Sequence, residues 1–220
     1  MATIRRRHTL LRGFGLVEAV VAVGVLITGI VAVVSLAQSN LSASKGVESR
    51  LVAVNLAREG VEAVRSLRDG NWLKGRTGAS GSANAWDTGF NSSGDATGTA
   101  IAILDVNTLS WTIDFTPTGF SDSRTRMRRH PTRGLYRQSL DNPVGETTTQ
   151  FSRLITVYAI CWNNPGNQET NNAVTCPGGF VKAGVRVISE VQWQEGNRTA
   201  KMVLEEWLYN WRFSYTPYAP

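Results

Sequence analysis

The sequence predicts an α+β protein in which one long N-terminal helix is followed by an antiparallel β-sheet. Apolar residues recur at helical spacing up to about residue 68, residues 69–100 are rich in Gly, Ser and Asn, and β-forming residues dominate from residue 101 onward. The 220 residues, 42% hydrophobic and 18% charged, suffice for one domain with an appendage. This composition excludes collagen, a coiled-coil fibre and a wholly disordered chain.

The positive charge of the chain is concentrated at its N-terminus. The formal net charge is +6, and Arg5, Arg6, Arg7 and Arg12 supply four of these charges before the first acid occurs. The sequence therefore does not predict the general basic surface of a nucleic-acid-binding protein. Arginines in front of an apolar segment instead indicate a membrane topology with the N-terminus in the cytoplasm.

An uncharged segment follows the basic N-terminus. Ala19–Ser44 contains no charged residue, and residues 19–37 are apolar almost throughout, which is the length that spans a bilayer as a helix. A plain signal anchor is equally apolar, as is a cleaved secretory signal, although the latter has a shorter apolar region. Glu18 lies at the start of this segment, where a carboxylate is costly in lipid unless it has a partner, so it is a candidate functional residue.

The string Arg12-Gly13-Phe14-Gly15-Leu16-Val17-Glu18 resembles the processing site of type IV prepilins and pseudopilins. That family has a basic leader ending in Gly, then an aromatic residue, then Glu at the fifth mature position and an apolar helix. Gly13, Phe14 and Glu18 fall on these positions. Gly15 departs from the pattern, because the family usually has a larger or hydroxyl-bearing residue there.

The resemblance implies a processing and assembly route. A prepilin peptidase would remove residues 1–13 and methylate the new amine of Phe14, and Glu18 of one subunit would pair with that amine of a neighbour. Such a pair sets the register of docking, because an unpaired carboxylate is expensive in low dielectric. The implied partners are other pilin subunits, the peptidase and an assembly platform. The chain would be a single-pass inner-membrane precursor and later part of a cell-surface or periplasmic filament.

The helix is expected to continue beyond the membrane, over residues 14–68. An apolar stripe recurs at three- and four-residue steps through Val47, Leu51, Val54, Ala57, Val61, Val64 and Leu67. Asp69-Gly70-Asn71 provides a stop signal, so the helix would be about 80 Å long. Residues 69–100 are predicted to form a loop, with Trp72, Trp86 and Phe90 as candidate anchors onto the head.

Residues 101–220 are predicted to form a β-rich extracytoplasmic head, which with the helix makes the roll that the resemblance implies. The predicted strands are Ile101–Asp105, Leu109–Phe115, Phe151–Trp162, Val181–Trp193 and Thr199–Leu208. A turn at Glu195-Gly196-Asn197-Arg198 would join the last two strands as a hairpin.

Cys161 and Cys176 are the two cysteines of the chain and lie fifteen residues apart. An extracytoplasmic head permits a disulfide between them, whereas two free thiols are the alternative. The pair resembles the C-terminal disulfide loop of many pilins, which favours the bridge.

A basic segment lies within the head. Fourteen residues without an acid contain Arg124, Arg126, Arg128, Arg129, Arg133 and Arg137. A flexible loop of this charge can contact DNA phosphates or another acidic surface. The alternative is that these arginines pair with acids elsewhere in the head or on a neighbouring subunit.

We expect this protein to have a structural role. We identify no nucleotide-binding loop, metal cluster or nucleophile–base pair in the sequence, and we expect no cofactor, no metal and no enzymatic activity. The resemblance to prepilins implies a minor pilin of a type IV pilus, with a role in adhesion, motility or DNA uptake as an expectation. A type II secretion pseudopilin shares the same N-terminal requirements, and a monomeric signal-anchored surface binding protein is the alternative from a different class.

Overall fold

A computed structural model describes residues 15–90, 98–117, 119–140, 144–163, 166, 168–173 and 175–212 of the chain. The α-helix α1 comprises Leu16–Leu73. The strands that follow are β1 Gly98–Asp105, β2 Ser110–Asp114, β3 Arg126–Arg129, β4 Tyr136–Arg137, β5 Thr147–Asn163, β6 Gln168–Ala173, β7 Val181–Glu195 and β8 Arg198–Tyr209. The chain divides into two compact units, Met1–Val47 and Glu48–Pro220, so the division falls within α1.

The second unit is built on β5, the longest strand, which is antiparallel to all its neighbours. One edge of β5 pairs with β7, and β7 in turn pairs with the whole length of β8. The other edge of β5 pairs in succession with β3, β1 and β6. β2 extends the sheet beyond β1, and β4 extends it beyond β3. The predicted α+β class, a long helix with an antiparallel sheet, is confirmed.

The alternation along β5 and β7 gives the sheet two distinct faces. Ile155 and Val157 on β5, with Val185 and Val187 on β7, are fully buried and contribute to one core cluster with Val61 and Val64 of α1. A second cluster joins Leu56 and Ala57 to Phe151, Val191 and Trp193 nearer the other end of the strands. The intervening residues lie on the opposite side, which we call the outer face of the sheet.

The buried stripe of the helix starts later than the sequence predicts. Its buried apolar side chains after Val47 begin at Ala53, whereas Leu51 of the predicted stripe is exposed. The helix also ends at Leu73 and not at Arg68, because Gly70 and Asn71 remain helical in its last turn. Asn71 donates there to the main-chain oxygens of Trp86 at 2.9 Å and Thr88 at 2.8 Å, so its side chain serves the following segment and does not stop the helix.

The five predicted strands are all present, with ends that differ by a few residues, and the predicted hairpin joins β7 to β8. Gly196 has a φ of +62° in its turn, a conformation that favours glycine. Three further strands, β3, β4 and β6, were not predicted. Their sequences are short and rich in Arg, Asn or Gln, so they lack the apolar alternation that indicates a strand.

Candidate functional site

Glu18, the predicted assembly residue, lies in the first turn of α1 and is exposed. The first turn of a helix has N–H groups without intrahelical acceptors and the positive end of the helix dipole, so a carboxylate is favourable there. Gly13 and Phe14, the predicted processing residues, lie outside the described residues. Cleavage between them, and the pairing of Glu18 with the resulting amine, stay predictions.

The first unit is apolar on every side of its helix. Fourteen large apolar side chains between Leu16 and Leu41 are exposed. Within the described part of the chain, α1 is the helix long and apolar enough to cross a membrane, judged by length and composition. A helix of this kind needs an apolar environment all around it, which lipid or several packed helices provide.

A depression interrupts the apolar surface at Gly29. It has a volume of about 330 Å³ and is bordered by Val25, Leu26, Ile30 and Val33 together with Val34. A Cβ at Gly29 would have no neighbour within 4 Å. Small residues let helices approach each other closely in membranes, so Gly29 is a point at which a second helix can pack.

A buried arginine joins α1 to the sheet in the second unit. The Arg153 side chain on β5 is fully buried, and its Nη1 donates to the Leu56 main-chain oxygen at 3.0 Å and to Glu59 Oε1 at 2.9 Å. Its Nη2 donates to the Ala102 main-chain oxygen at 3.2 Å. Burial lowers the pKa of the Arg153 guanidinium, and the Glu59 carboxylate opposes that shift.

Gln138 completes this network. Its Oε1 accepts from Arg153 Nε at 3.1 Å and from the Ala102 N–H at 3.3 Å. Its Nε2 donates to the main-chain oxygens of Thr125 at 2.8 Å and Arg153 at 2.6 Å. A fully buried amide is thereby satisfied at all four positions, which connects β1 and β5 to Thr125, the residue directly before β3.

The helix approaches β7 closely at Gly60. A Cβ placed on Gly60 would lie 2.4 Å from Ser189 Oγ and 3.1 Å from Arg153 Cδ. A Cβ could be accommodated there only if the Ser189 side chain moved, so the close packing of helix and sheet favours glycine. The Ser189 hydroxyl is buried and has no hydrogen-bond partner among the described residues.

A second buried ion pair fastens the segment after α1. Lys182 Nζ on β7 lies 2.8 Å from Asp87 Oδ2, and both side chains are almost completely buried. Ser80 Oγ donates to the same carboxylate oxygen at 2.5 Å. Trp86 and Phe90, two of the predicted anchors, flank Asp87 and are fully buried in an edge-to-face contact with ring centroids 5.5 Å apart. The segment is thus held by apolar anchors around a paired charge.

The predicted disulfide between Cys161 and Cys176 is present. Cys161 is buried near the end of β5, and the bridge connects it to the segment that follows β6, with a Cα–Cα distance of 5.5 Å. It therefore closes the loop that contains β6.

The basic segment is not the flexible loop that its charge suggests. It contains a short 3-10 helix, Ser123–Thr125, and the strands β3 and β4. Met127 alternates with arginines in β3 and is fully buried beside the helix, which anchors the strand in the sheet. The prediction of a loop was wrong, because one buried Met in a run of arginines gives too weak a periodic signal.

Two arginines of this segment are paired with acids in the head. Arg124 Nε and Nη2 contact Asp122 Oδ1 and Oδ2 at 2.9 and 2.6 Å, and Asp114 lies 3.8 Å from its Nη1. The Arg124 hydrogen bonds hold the pKa of Asp122 at about 2. Arg137 Nε lies 2.5 Å from the Glu146 carboxylate.

Two others bond to oxygens of the head. Arg133 donates to the Val106 main-chain oxygen, and Arg128 donates to Thr148 Oγ1 at 3.3 Å. Arg126 and Arg129 are exposed and form no ion pair within the described ranges. Pairing within the head, the alternative given above, thus accounts for Arg124 and Arg137, and contact of the segment with DNA stays a prediction.

Among the described residues, no group of three or more His, Cys, Asp and Glu side chains is placed to hold a metal ion. Comparison of the chain with protein families, with curated proteins and with solved structures found no match. The candidate site is therefore defined by residues of this chain alone. It consists of an apolar helix with Glu18 in its first turn and of a head that Arg153 joins to the second half of that helix.

Proposed function

We propose that this protein is a minor pilin, a structural subunit that is processed after Gly13 and assembled into a type IV pilus through its apolar helix. The observation that carries the proposal is that the two parts of α1 differ in which side chains they bury. Its first part exposes apolar side chains on every side, whereas its second part buries one stripe against the sheet. A helix of this kind serves as both the packing element of a filament and the spine of a head.

The position of Glu18 supports the same proposal. It is the one acid before Glu48 in the helix, and it lies where the chain would enter the apolar environment. The terminal amine of a neighbouring, processed subunit would neutralise it there. In low dielectric this pair specifies where a new subunit docks more than it adds stability.

The Cys161–Cys176 bridge supports a head outside the cytoplasm, because structural disulfides persist in oxidising compartments. The arginines at positions 5–7 and 12, which precede the apolar segment, support a cytoplasmic N-terminus before processing. The proposed subunit would therefore reside in the inner membrane, with its head outside the cytoplasm, until it is assembled into the filament.

The test is incorporation of a Glu18→Ala variant into filaments in cells that contain a prepilin peptidase and a pilus assembly platform. We expect the variant to be processed but to remain in the membrane fraction, while wild-type protein also appears in sheared filaments. Glu48→Ala is the matched control, since Glu48 is an exposed acid on the same helix. Normal incorporation of the Glu18→Ala protein would contradict the assigned role.

A further inference from the structure

A polar cleft opens on the outer face of the sheet. Its volume is about 340 Å³, and its walls include Arg126 of β3, Ser152 of β5 and Gln192 of β7. These three residues are aligned across the strands, because Arg126 pairs with Ser152 and Ser152 pairs with Gln192 in register. Phe151 and Val191, their neighbours in sequence, are buried on the helix side. The cleft lies mainly on the outer face, but it also reaches Trp193 of the second core cluster. Gln150 in its lining donates to Ser49 Oγ of α1 at 3.2 Å.

Uncharged hydrogen-bonding groups dominate the lining of the cleft. Besides Ser152 and Gln192 they include Gln150, Gln194 and Thr199. Gln192 Nε2 donates to Glu190 Oε1 at 2.9 Å, and Gln194 Nε2 donates to Thr199 Oγ1 at 3.0 Å. Each of these bonds uses one amide hydrogen and none of the acceptor capacity of the amide oxygen. Such groups match a ligand that carries many hydroxyls, because a hydroxyl both donates and accepts.

The one charged residue in the lining of the cleft is Arg126, and the Glu190 carboxylate adjoins the cleft through its hydrogen bond with Gln192. No acid is among its lining residues, and Arg126 contributes an exposed guanidinium that forms no ion pair in the part of the chain that the structure describes. Lys201 of β8 pairs with Gln192 in register, is exposed and likewise has no acid partner among the described residues. Strands lie about 4.8 Å apart, so the two cations lie on strands separated by roughly 14 Å at either end of one cross-strand row.

Phe120, from the segment after β2, supplies an aromatic wall. An aromatic ring beside amides and hydroxyls fits the C–H face of a sugar ring, with the polar groups directed to its hydroxyls. A nucleic acid would require a longer row of free cations along its phosphates, and here Arg124 and Arg137 are already paired. The geometry therefore favours a saccharide over a nucleic acid.

We propose that this cleft binds a glycan that bears an acidic sugar, with the sugar carboxylate at Arg126 and the sugar hydroxyls at the glutamine and hydroxyl side chains. A guanidinium binds a carboxylate through two parallel hydrogen bonds, which gives selectivity for the acidic sugar. The volume is at the small end of ligand sites, so one or two sugar units are engaged. This binding belongs to the head and does not depend on filament assembly.

The experiment measures binding of the full-length protein, in detergent micelles, to immobilised sialyllactose and digalacturonic acid, with lactose and galactobiose as their neutral counterparts. We expect binding to an acidic sugar and at least about tenfold weaker binding to its neutral counterpart, since a charge-assisted hydrogen bond is lost. Arg126→Gln should reduce the affinity about tenfold, and Gln194→Ala should reduce it severalfold. Both residues are exposed, so an unchanged thermal unfolding midpoint is expected for each variant.

Arg129→Gln is the matched control, because it removes the same charge from the same strand at a position outside the cleft. Unchanged affinity in this variant supports the proposal. Equal losses for Arg126→Gln and Arg129→Gln would indicate a diffuse basic surface and overturn it. Absence of binding to both acidic sugars, equal binding of the neutral counterparts, or displacement by a single-stranded oligonucleotide at similar concentration would overturn it as well.

Discussion

Arg153 of the central strand donates a hydrogen bond of 3.0 Å to the main-chain oxygen of Leu56 in the helix, and it does so from a fully buried position. The Leu56 carbonyl thus accepts from a side chain of the sheet as well as from its own helix, which attaches the helix to the sheet at this residue. The Glu59 carboxylate, one turn further along, balances the charge. The helix and sheet of the head are therefore joined by a directional contact in addition to apolar packing.

Replacing Arg153 by Met is expected to lower the free energy of unfolding by about 3–5 kcal/mol, because Gln138, Glu59 and two main-chain oxygens lose their partner in the core. Urea denaturation of the full-length protein in micelles measures the change. Arg186→Met is the control, since Arg186 pairs with Glu205 on the outer face. It should cost no more than about 1 kcal/mol. Equal costs for the two variants would contradict the role given to Arg153.

Adding a methyl group at Gly60 is expected to destabilise the head by about 1–3 kcal/mol, because the new Cβ would meet Ser189 Oγ. The double variant Gly60→Ala/Ser189→Ala should recover much of that loss, since the Ser189 hydroxyl has no hydrogen-bond partner among the described residues. Gly70→Ala is the control and should stabilise the helix by about 0.5–1 kcal/mol, because a Cβ there meets nothing within 4 Å. Thermal unfolding of the three variants measures these differences. If the double variant is no more stable than Gly60→Ala, contact with Ser189 Oγ is not the cause of the destabilisation.

Lys182→Met is expected to cost about 3–5 kcal/mol, because it leaves the Asp87 carboxylate buried without its cation. The double variant Lys182→Met/Asp87→Asn should be more stable than the single one, since no uncompensated charge remains. Trypsin cleavage at Arg76, within the segment that this pair holds, reports local release. Lys201→Met, an exposed lysine of β8, is the control and should change neither stability nor cleavage. A Lys182→Met variant as stable as the wild type would show that this ion pair does not hold the segment in place.

The ion pair of Glu205 with Arg186 on the outer face makes the stability of the head depend on pH. Hydrogen bonds from Arg186, and then from Trp207, hold the pKa of Glu205 at about 2, below its ordinary 4.5. Because the folded-state pKa is depressed, this group contributes stability above about pH 4.5, and that contribution is lost as the pH falls towards 2. A carboxyl NMR titration should give a midpoint near 2 in the wild-type protein and a midpoint closer to 4.5 in Arg186→Gln. Lys201→Gln should leave the midpoint unchanged; a wild-type midpoint near 4.5 would refute the assignment.

Period-two alternation was the most informative signal in the sequence. It predicted β7 and, through the hairpin, β8, whereas β5 was predicted from its run of β-forming residues. Period two also places Arg153 on the same face as Phe151 and Ile155, which is the signal that could have revealed a buried arginine. That signal was missed because arginine is ordinarily read as an exposed residue. The partners of Arg153 could not be predicted, since Gln138 and Leu56 come near it only when the sheet and helix pack.

The basic segment shows the opposite case. Its charge was obvious, but its structure depends on Met127 entering the core and on Asp122 and Glu146 pairing with its arginines. None of these contacts leaves a periodic pattern in the sequence. The polar cleft was missed for a similar reason, because Ser152, Gln192 and Phe120 belong to separate segments and meet only across the sheet.

The central claim is that the apolar helix becomes the N-terminus of a mature filament subunit, and the most direct test is an intact-mass measurement. The full chain is expressed in cells that contain a prepilin peptidase, purified from the membrane and analysed by mass spectrometry. We expect a mass that lacks residues 1–13 and carries one additional methyl group on Phe14. A chain that retains its leader in those cells, or that is cut at another bond, would contradict the account.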